Sequence, residues 1–275
     1  MSKYLSDGNF VVVPDLQAPY HDKRTVEAFT KFLWDYDHDG LLIVGDEADS
    51  PEPARWNKGM AMEYAGTLEA GLQTTYDVLR DLCHATGIGK DGNHKPVILS
   101  RSNHGDRIQK YLAKYAPAMA RASWSQYDRI MGYNGHKPLL EGREDPLPIR
   151  YETKPIPFAR GWLMMHGDEA GMNQTAGGTA LGLAKKVGLS VVCGHTHKAG
   201  MQHMNLAHSG RVTQQLIGFE VGHMMDMKQA GYLGFGGANW QQAFGIMRIR
   251  KGVVYPELVL IHNRKFTVEG EHYAA

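Results

Sequence analysis

Leu41-Leu42-Ile43-Val44-Gly45-Asp46-Glu47-Ala48-Asp49 joins four apolar residues to a glycine-flanked acidic turn. An apolar run of that length, ending in polar residues, reads as a strand buried on both faces, the habit of parallel strands in an α/β sheet. The same pattern recurs on either side of it. Phe10–Val13 runs into Asp15-Leu16-Gln17, Val97–Leu99 into Asn103-His104, Trp162–Met165 into His166-Gly167, and Leu189–Cys193 into Gly194-His195-Thr196-His197. In open α/β sheets the ligand site lies beyond the carboxyl ends of the strands. Five such ends bearing Asp, Asn and His side chains predict one shared metal site.

Between these strands the spacing predicts a helix over 23–37, with Val26, Phe29, Phe32 or Leu33 and Tyr36 on one face and Asp22 as its N-cap. A second helix is predicted over 60–84, on a stripe running from Met62 and Ala65 through Leu82. A third, over 106–121, is interrupted near Pro117, and a fourth covers 175–187. Residues 122–160 show no sustained period. Connections this long are often lids over a site, the alternative being an ordered surface loop, and the possible lid or insertion spans about 106–160. From about 210 the pattern turns to short β-like runs, Val212–Gly218, Phe244–Ile249, Val253–Ile261 and Phe266–Val268, read as antiparallel strands of a second sheet or of the first. Gly231–Gly237 reads as a flexible loop rather than a phosphate cradle, since no helix start follows it.

Thirty Lys and Arg against 29 Asp and Glu leave the 275-residue chain near neutrality, with no global attraction to nucleic acid or anionic membrane. No apolar run approaches the roughly 18–20 residues of a membrane span, and the start lacks a signal peptide's apolar stretch. Cys83 and Cys193 cannot build a disulfide framework, and Cys193 reads as a small buried hydrophobe. A single cytoplasmic domain over 1–275 is expected, in a bacterium or a phage-infected bacterial host. With 14 His and two Cys, its metal ligands are nitrogen and oxygen.

Hydrolysing a phosphate ester at neutral pH requires a nucleophile, charge neutralisation and a proton for the leaving oxygen. Two cations roughly 3.5–4 Å apart supply the first two. Such a pair needs a bridging carboxylate and about three further ligands on each side. Asp46 is placed for the bridge, and Asp15, Asn103, His166 and the His195/His197 pair for the flanks.

The motif order resembles that of the calcineurin-like metallophosphoesterases, D-x-H, G-D-x-x-D, G-N-H-[DE], H and G-H-T-H, over residues 10 to 200. Gly194-His195-Thr196-His197, followed by Lys198 and Gly200, is its most specific piece, and Ala238-Asn239-Trp240-Gln241-Gln242 is similar to compact bacteriophage members. The resemblance implies a four-layer α/β/β/α sandwich, two mixed sheets flanked by helices. It implies one metal on Asp15, Gln17, Asp46 and His197 and a second on Asp46, Asn103, His166 and His195. His104 would contact phosphate and protonate the leaving group, oriented by Asp49.

Three positions depart from the pattern. Gln17 stands for His, Ser102 for Gly, and Gly105 for the acidic residue. An amide ligates through a neutral oxygen, so Mn²⁺ is the expected metal, with Zn²⁺, Fe²⁺ and Ni²⁺ as alternatives. Ser50 occupies the place of the Arg in the phosphoprotein-phosphatase variant, which counts against that class.

Each residue alone has an ordinary explanation, an N-cap for Asp15 or Asp46 and a structural role for His166. It is the ordered set that points to a metal centre. Arg55 and Trp56 are candidates for a phosphate clamp and a stacking surface. Arg101 or Arg107 could face the phosphate, Tyr127 and Arg129 lie in the expected lid, and His21 lines the cleft, caps the first helix or substitutes for Gln17. The expected activity is hydrolysis of small nucleotide-type phosphodiesters such as cyclic nucleotides. The alternatives are a metal-dependent DNA nuclease and a non-catalytic metal-binding scaffold.

Overall fold

A computed structural model of the chain describes residues 4–87, 95–229 and 238–275. In chain order the main elements begin with β1 (Gly8–Val13), α1 (Lys23–Asp35), β2 (Gly40–Ile43), α2 (Leu68–Ala85), β3 (Val97–Ser100), α3 (Arg107–Tyr115) and α4 (Pro117–Ala120). There follow α5 (Tyr127–Met131), β4 (Arg150–Glu152), β5 (Ile156–Ala159), β6 (Trp162–Met164), α6 (Gly178–Val187) and β7 (Ser190–Cys193). The chain closes with β8 (Ala199–His208), β9 (Arg211–Val221), β10 (Ala243–Arg250), β11 (Val253–Leu260), β12 (Lys265–Val268) and β13 (Glu271–Ala274).

The strands form two mixed sheets and a two-stranded β12–β13 hairpin. The first sheet has the order β11-β10-β1-β2-β3-β4, with β1 to β4 parallel and β10 and β11 antiparallel to their neighbours. The second runs β5-β6-β7-β9-β8, with β6, β7 and β9 parallel. Alternate residues of a strand point to opposite faces, and the packing follows. Phe10, Val12, Leu42 and Val44 meet Met164, Val192, Phe219 and Val221 between the sheets. Val11, Val13, Leu41 and Ile43 turn the other way, onto Phe29 and Phe32 of α1 and Leu72 and Leu79 of α2. Val191 and Cys193 pack on Ala180, Leu183 and Ala184 of α6. Two sheets back to back with helices outside make an α/β/β/α sandwich.

α1 starts where the Asp22 carboxylate accepts the Thr25 N–H at 3.3 Å, the cap expected from the sequence. α2 begins eight residues later than its periodicity suggests. Gly66 takes a left-handed φ of +68°, and Glu63 accepts the Gly59 N–H at 2.7 Å, so residues 61–64 form a separate 3₁₀ turn and Met62 is exposed. The helix predicted over 106–121 is interrupted at Ala116, before Pro117.

Residues 127–160, read as part of a lid, are built into the core and sheet edges instead. Tyr127, Met131, Tyr133, Leu147 and Ile149 are buried with the α1–α2 layer, β4 pairs with β3, and β5 joins the second sheet. β8 had no sequence signal, because its half-exposed residues bury no regular stripe. The Gly231–Gly237 loop lies outside the described residues. No helix among the described residues is long and apolar enough to cross a membrane.

Candidate metal centre

All five sequence segments meet at the carboxyl ends of the parallel strands, β1, β2 and β3 from one sheet and β6 and β7 from the other. Two donor triads share one carboxylate. In Asp46, His166 and His195, and again in Asp15, Asp46 and His197, the candidate ligand atoms lie within 4.8 Å of one another.

His166 is oriented by its second nitrogen. Its Nδ1 lies 3.0 Å from the Val44 carbonyl, a contact that places the proton there and leaves Nε2 facing Asp46 Oδ1 at 3.2 Å and Asn103 Oδ1 at 2.9 Å. A backbone acceptor fixing the tautomer is the usual arrangement for a ligating imidazole. On the other side, His197 Nε2 lies 3.4 Å from Asp15 Oδ2, which also accepts the His195 N–H at 2.8 Å. Gln17 is in this group, yet its Nε2 is the end that faces Asp46 Oδ2, at 3.1 Å, and His197 Nε2, at 3.2 Å. Carboxylate oxygen and imidazole nitrogen are both acceptors, so the donor end of the amide turns to them. A half-turn of the terminal amide would present Oε1 at the same place.

Four of the site's residues have strained backbone. Gln17, Asp46, His195 and His197 take φ of +55°, +48°, +67° and +57°, a left-handed region costing a non-glycine residue about 1–2 kcal/mol. Gly194 permits the close approach of β7 to β1. A Cβ there would stand 2.0 Å from Asp15 Oδ1.

The electrostatics favour a cation. Burial drives the Asp15 carboxyl well above its ordinary range, and the neighbouring Asp46 charge adds to this. Burial also opposes charge on Asp46, but His104 and His166 overcome it and hold Asp46 well below the usual carboxylate range. Burial opposes charge on His166 too, and Asp46 pulls it up to about 10. Burial, with His166 and His223 respectively beside them, lowers His195 and His197. Asp15 Oδ1 and His197 Nδ1 are buried without hydrogen-bond partners. An orphaned Asp15 oxygen next to Asp46 and to His195 and His197, whose charge burial opposes, suits one or two divalent ions, one of which would take the place of the His166 proton.

At the rim, His104 Nδ1 lies 3.1 Å from Asp49 Oδ1, and its Nε2 lies 2.6 Å from Arg107 Nη2 and 3.7 Å from Asp46 Oδ2. Arg107 also bonds Asp49 and the Ser50 carbonyl. Hydrogen bonding and charge from His104 and Arg107 outweigh burial and lower the Asp49 carboxyl. Ser102 Oγ accepts the Gly105 N–H at 3.1 Å and closes the turn that carries Asn103 and His104.

Other candidates fall elsewhere. Arg101 is committed to Asp106 and Asp168, and Tyr127 is buried, donating to Glu47 at 2.8 Å. His21 is in neither triad and lines a groove along α1 with Lys23 and Glu27. Arg55 and Trp56 stand in a cleft of about 590 Å³ that opens on Asn103 and His195.

Several supporting residues carry no metal-ligand motif in the sequence. Glu220, fully buried on β9, accepts the Thr179 and Ala180 N–H groups at 2.7 and 3.2 Å and the Thr196 hydroxyl at 2.9 Å. It thereby ties the His195–His197 turn to the start of α6. A carboxylate inside the apolar run Leu216–Val221 was the available signal. The His223 ring stacks on His197 at 5.1 Å, and Trp240 meets His197 edge-on at 4.2 Å.

A layered α/β/β/α fold with carboxylate and imidazole donors gathered at its strand ends is the arrangement that the resemblance read from the sequence implies. The chain belongs to the family of the mycobacteriophage Gene 54 proteins. It is 31% identical to the Gene 54 protein of Mycobacterium phage D29 over 263 residues, 94% of this chain and 96% of that protein. It is 32% identical to the Gene 54 protein of Mycobacterium phage L5 over 263 residues, with the same coverage. No protein-family model matches the chain. Among solved structures it is similar to vacuolar protein sorting 29 of Cryptosporidium parvum (TM-score 0.46, 13% identity, 98% of this chain and 100% of that one). It is also similar to the same protein of Entamoeba histolytica complexed with Zn²⁺ (TM-score 0.43, 13% identity, 96% and 95%).

Proposed function

We propose that the chain is a binuclear metal-dependent phosphodiesterase acting on nucleotide-type phosphodiesters in the cytoplasm of an infected bacterium. The observation that carries this reading is the pair of donor triads sharing Asp46, with the His104–Asp49 pair at their rim. Asp15, Gln17, Asp46 and His197 would hold one ion, and Asp46, Asn103, His166 and His195 the other. Divalent ions held there supply charge neutralisation at phosphorus and acidify water.

The remaining work falls to the protein's own groups. Asp49 keeps His104 oriented through Nδ1, so that Nε2 is the atom that hands a proton to the leaving oxygen. Arg107 now occupies Nε2 at 2.6 Å. An incoming phosphoryl oxygen draws the guanidinium toward itself, because bidentate charge-assisted contacts to an anion outweigh a single bond to an imidazole nitrogen. Nε2, no longer accepting that N–H, takes up a proton from solvent and passes it to the leaving oxygen.

Metal analysis together with hydrolysis of bis(p-nitrophenyl) phosphate tests the proposal. Two equivalents of metal and turnover, highest with Mn²⁺, are expected. One equivalent or none, with no turnover on any ester, would leave the non-catalytic scaffold as the better reading.

A further inference from the structure

We infer that the substrate is an extended single strand of nucleic acid, gripped on both flanks of the metal centre; this rests on the phosphodiesterase reading above. Two clefts of about 590 and 680 Å³ adjoin the centre. The first reaches Asn103 and His195, the second Asp49 and His104, and Trp56 and Arg107 line both. A compact substrate such as a cyclic mononucleotide fills one flank only. A linear chain whose scissile phosphate sits at the centre continues into both. Clefts within the ~300–1,000 Å³ range of small-ligand pockets take a few nucleotides.

The first cleft has the chemistry of a single-strand groove, cations along the backbone path and aromatic faces for the bases. Arg55, Arg107, Lys110 and Lys114 line it with a single carboxylate, Asp168, in a chain whose formal charge is only +1; Arg107 also pairs with Asp49 and Lys110 with Asp106. Nearby acids are already matched. Asp168 pairs with Arg101 at 3.0 Å and Glu63 with Lys58 at 2.6 Å. Arg55 stands 5.2 Å above the Trp56 ring, which is 59% exposed, and Lys114 stands 5.1 Å from the Tyr115 ring, which is 41% exposed. A groove so lined attracts phosphates and stacks bases without reading their sequence. The overall neutrality that argued for small substrates does not describe this wall.

The test is fluorescence anisotropy of labelled phosphorothioate oligonucleotides, DNA and RNA, on the metal-loaded protein. Each neutralised phosphate contributes a salt slope of about −0.7 for single strands, so contacts from Arg55, Arg107 and Lys114 predict roughly twentyfold weaker binding between about 50 and 200 mM salt. Trp56→Ala should weaken binding about tenfold through the lost stacking, as should Lys114→Ala combined with Tyr115→Ala. An unchanged thermal midpoint would exclude misfolding. Binding of DNA alone or RNA alone supports the inference and assigns the sugar. Bis(p-nitrophenyl) phosphate turnover without salt-dependent binding of either strand overturns it and leaves the phosphodiesterase standing. Tighter competition by a cyclic mononucleotide or a duplex overturns it as well. Strand binding with no hydrolysis of any ester would instead bring down the reading on which it rests.

Discussion

The two halves of the candidate metal centre share Asp46 but are supported differently. Around His166, Nδ1 faces the Val44 carbonyl just past β2, and Asn103 and Asp46 follow the ends of β3 and β2. Around His197, the ring's Nδ1 has no hydrogen-bond partner and Asp15 Oδ1 has none. This second half is steadied by packing, His223 stacked on one side and Trp240 edge-on. Hydrogen bonds fix an imidazole's direction, whereas packing fixes only its place. The His166 half is therefore preorganised for an ion and the His197 half adjustable.

The largest effect tests what the halves have in common. Asp46→Asn should remove at least one metal equivalent and cost more than the 10²–10⁴-fold typical of a missing general acid. Full metal content with near-parent activity would end the bridging assignment and dissolve the comparison.

His104→Ala separates chemistry from metal holding. Activity on poor leaving groups should fall about 10²–10⁴-fold with both metals retained, and less on nitrophenolate, which leaves without a proton. Asp49→Asn should act the same way but more mildly. Equal losses on good and poor leaving groups would show that His104 only binds phosphate.

Stepwise chelation addresses the difference between the halves directly. One metal equivalent should leave before the other, and the thermal midpoint should fall in two stages. An ion present at a hundred times its Kd stabilises the fold by about 2.7 kcal/mol. Simultaneous loss of both equivalents would mean the halves are not distinct.

The smallest effect concerns Gln17. Gln17→His should tighten the His197 half and move its preference from Mn²⁺ toward Zn²⁺, Fe²⁺ or Ni²⁺, because imidazole is the softer donor. If Gln17→Ala binds both metals with parent affinity, the amide is no ligand, and the two-metal mechanism stands without it.

Sequence alone indicated the parallel strands and the places where they end, because strands buried on both faces must be apolar along their whole length. Phe10–Val13, Leu41–Val44 and Leu189–Cys193 lie on β1, β2 and β7 within a residue or two. The polar residues just past those runs, from Asp15 to His197, meet in one place for the same topological reason. Asp22 was legible as a cap because capping is local.

What tertiary structure alone decided depends on partners distant in the chain. β4, β5, β8 and β13 are short or half-exposed, and only a neighbouring strand's register makes them strands. Residues 127–149 look like loop in sequence, yet the layer beneath them supplies the apolar surface that buries Tyr127, Tyr133 and Leu147. Glu220 becomes a support for His195 and His197 because β9 lies beside β7, and Trp240 reaches His197 across the fold. The end of the Gln17 amide that faces the centre is likewise set by Asp46 and His197, from two other strand ends. Periodicity reports which residues are buried. Which buried residues touch is set by strand order, and that order is fixed only when the layers pack.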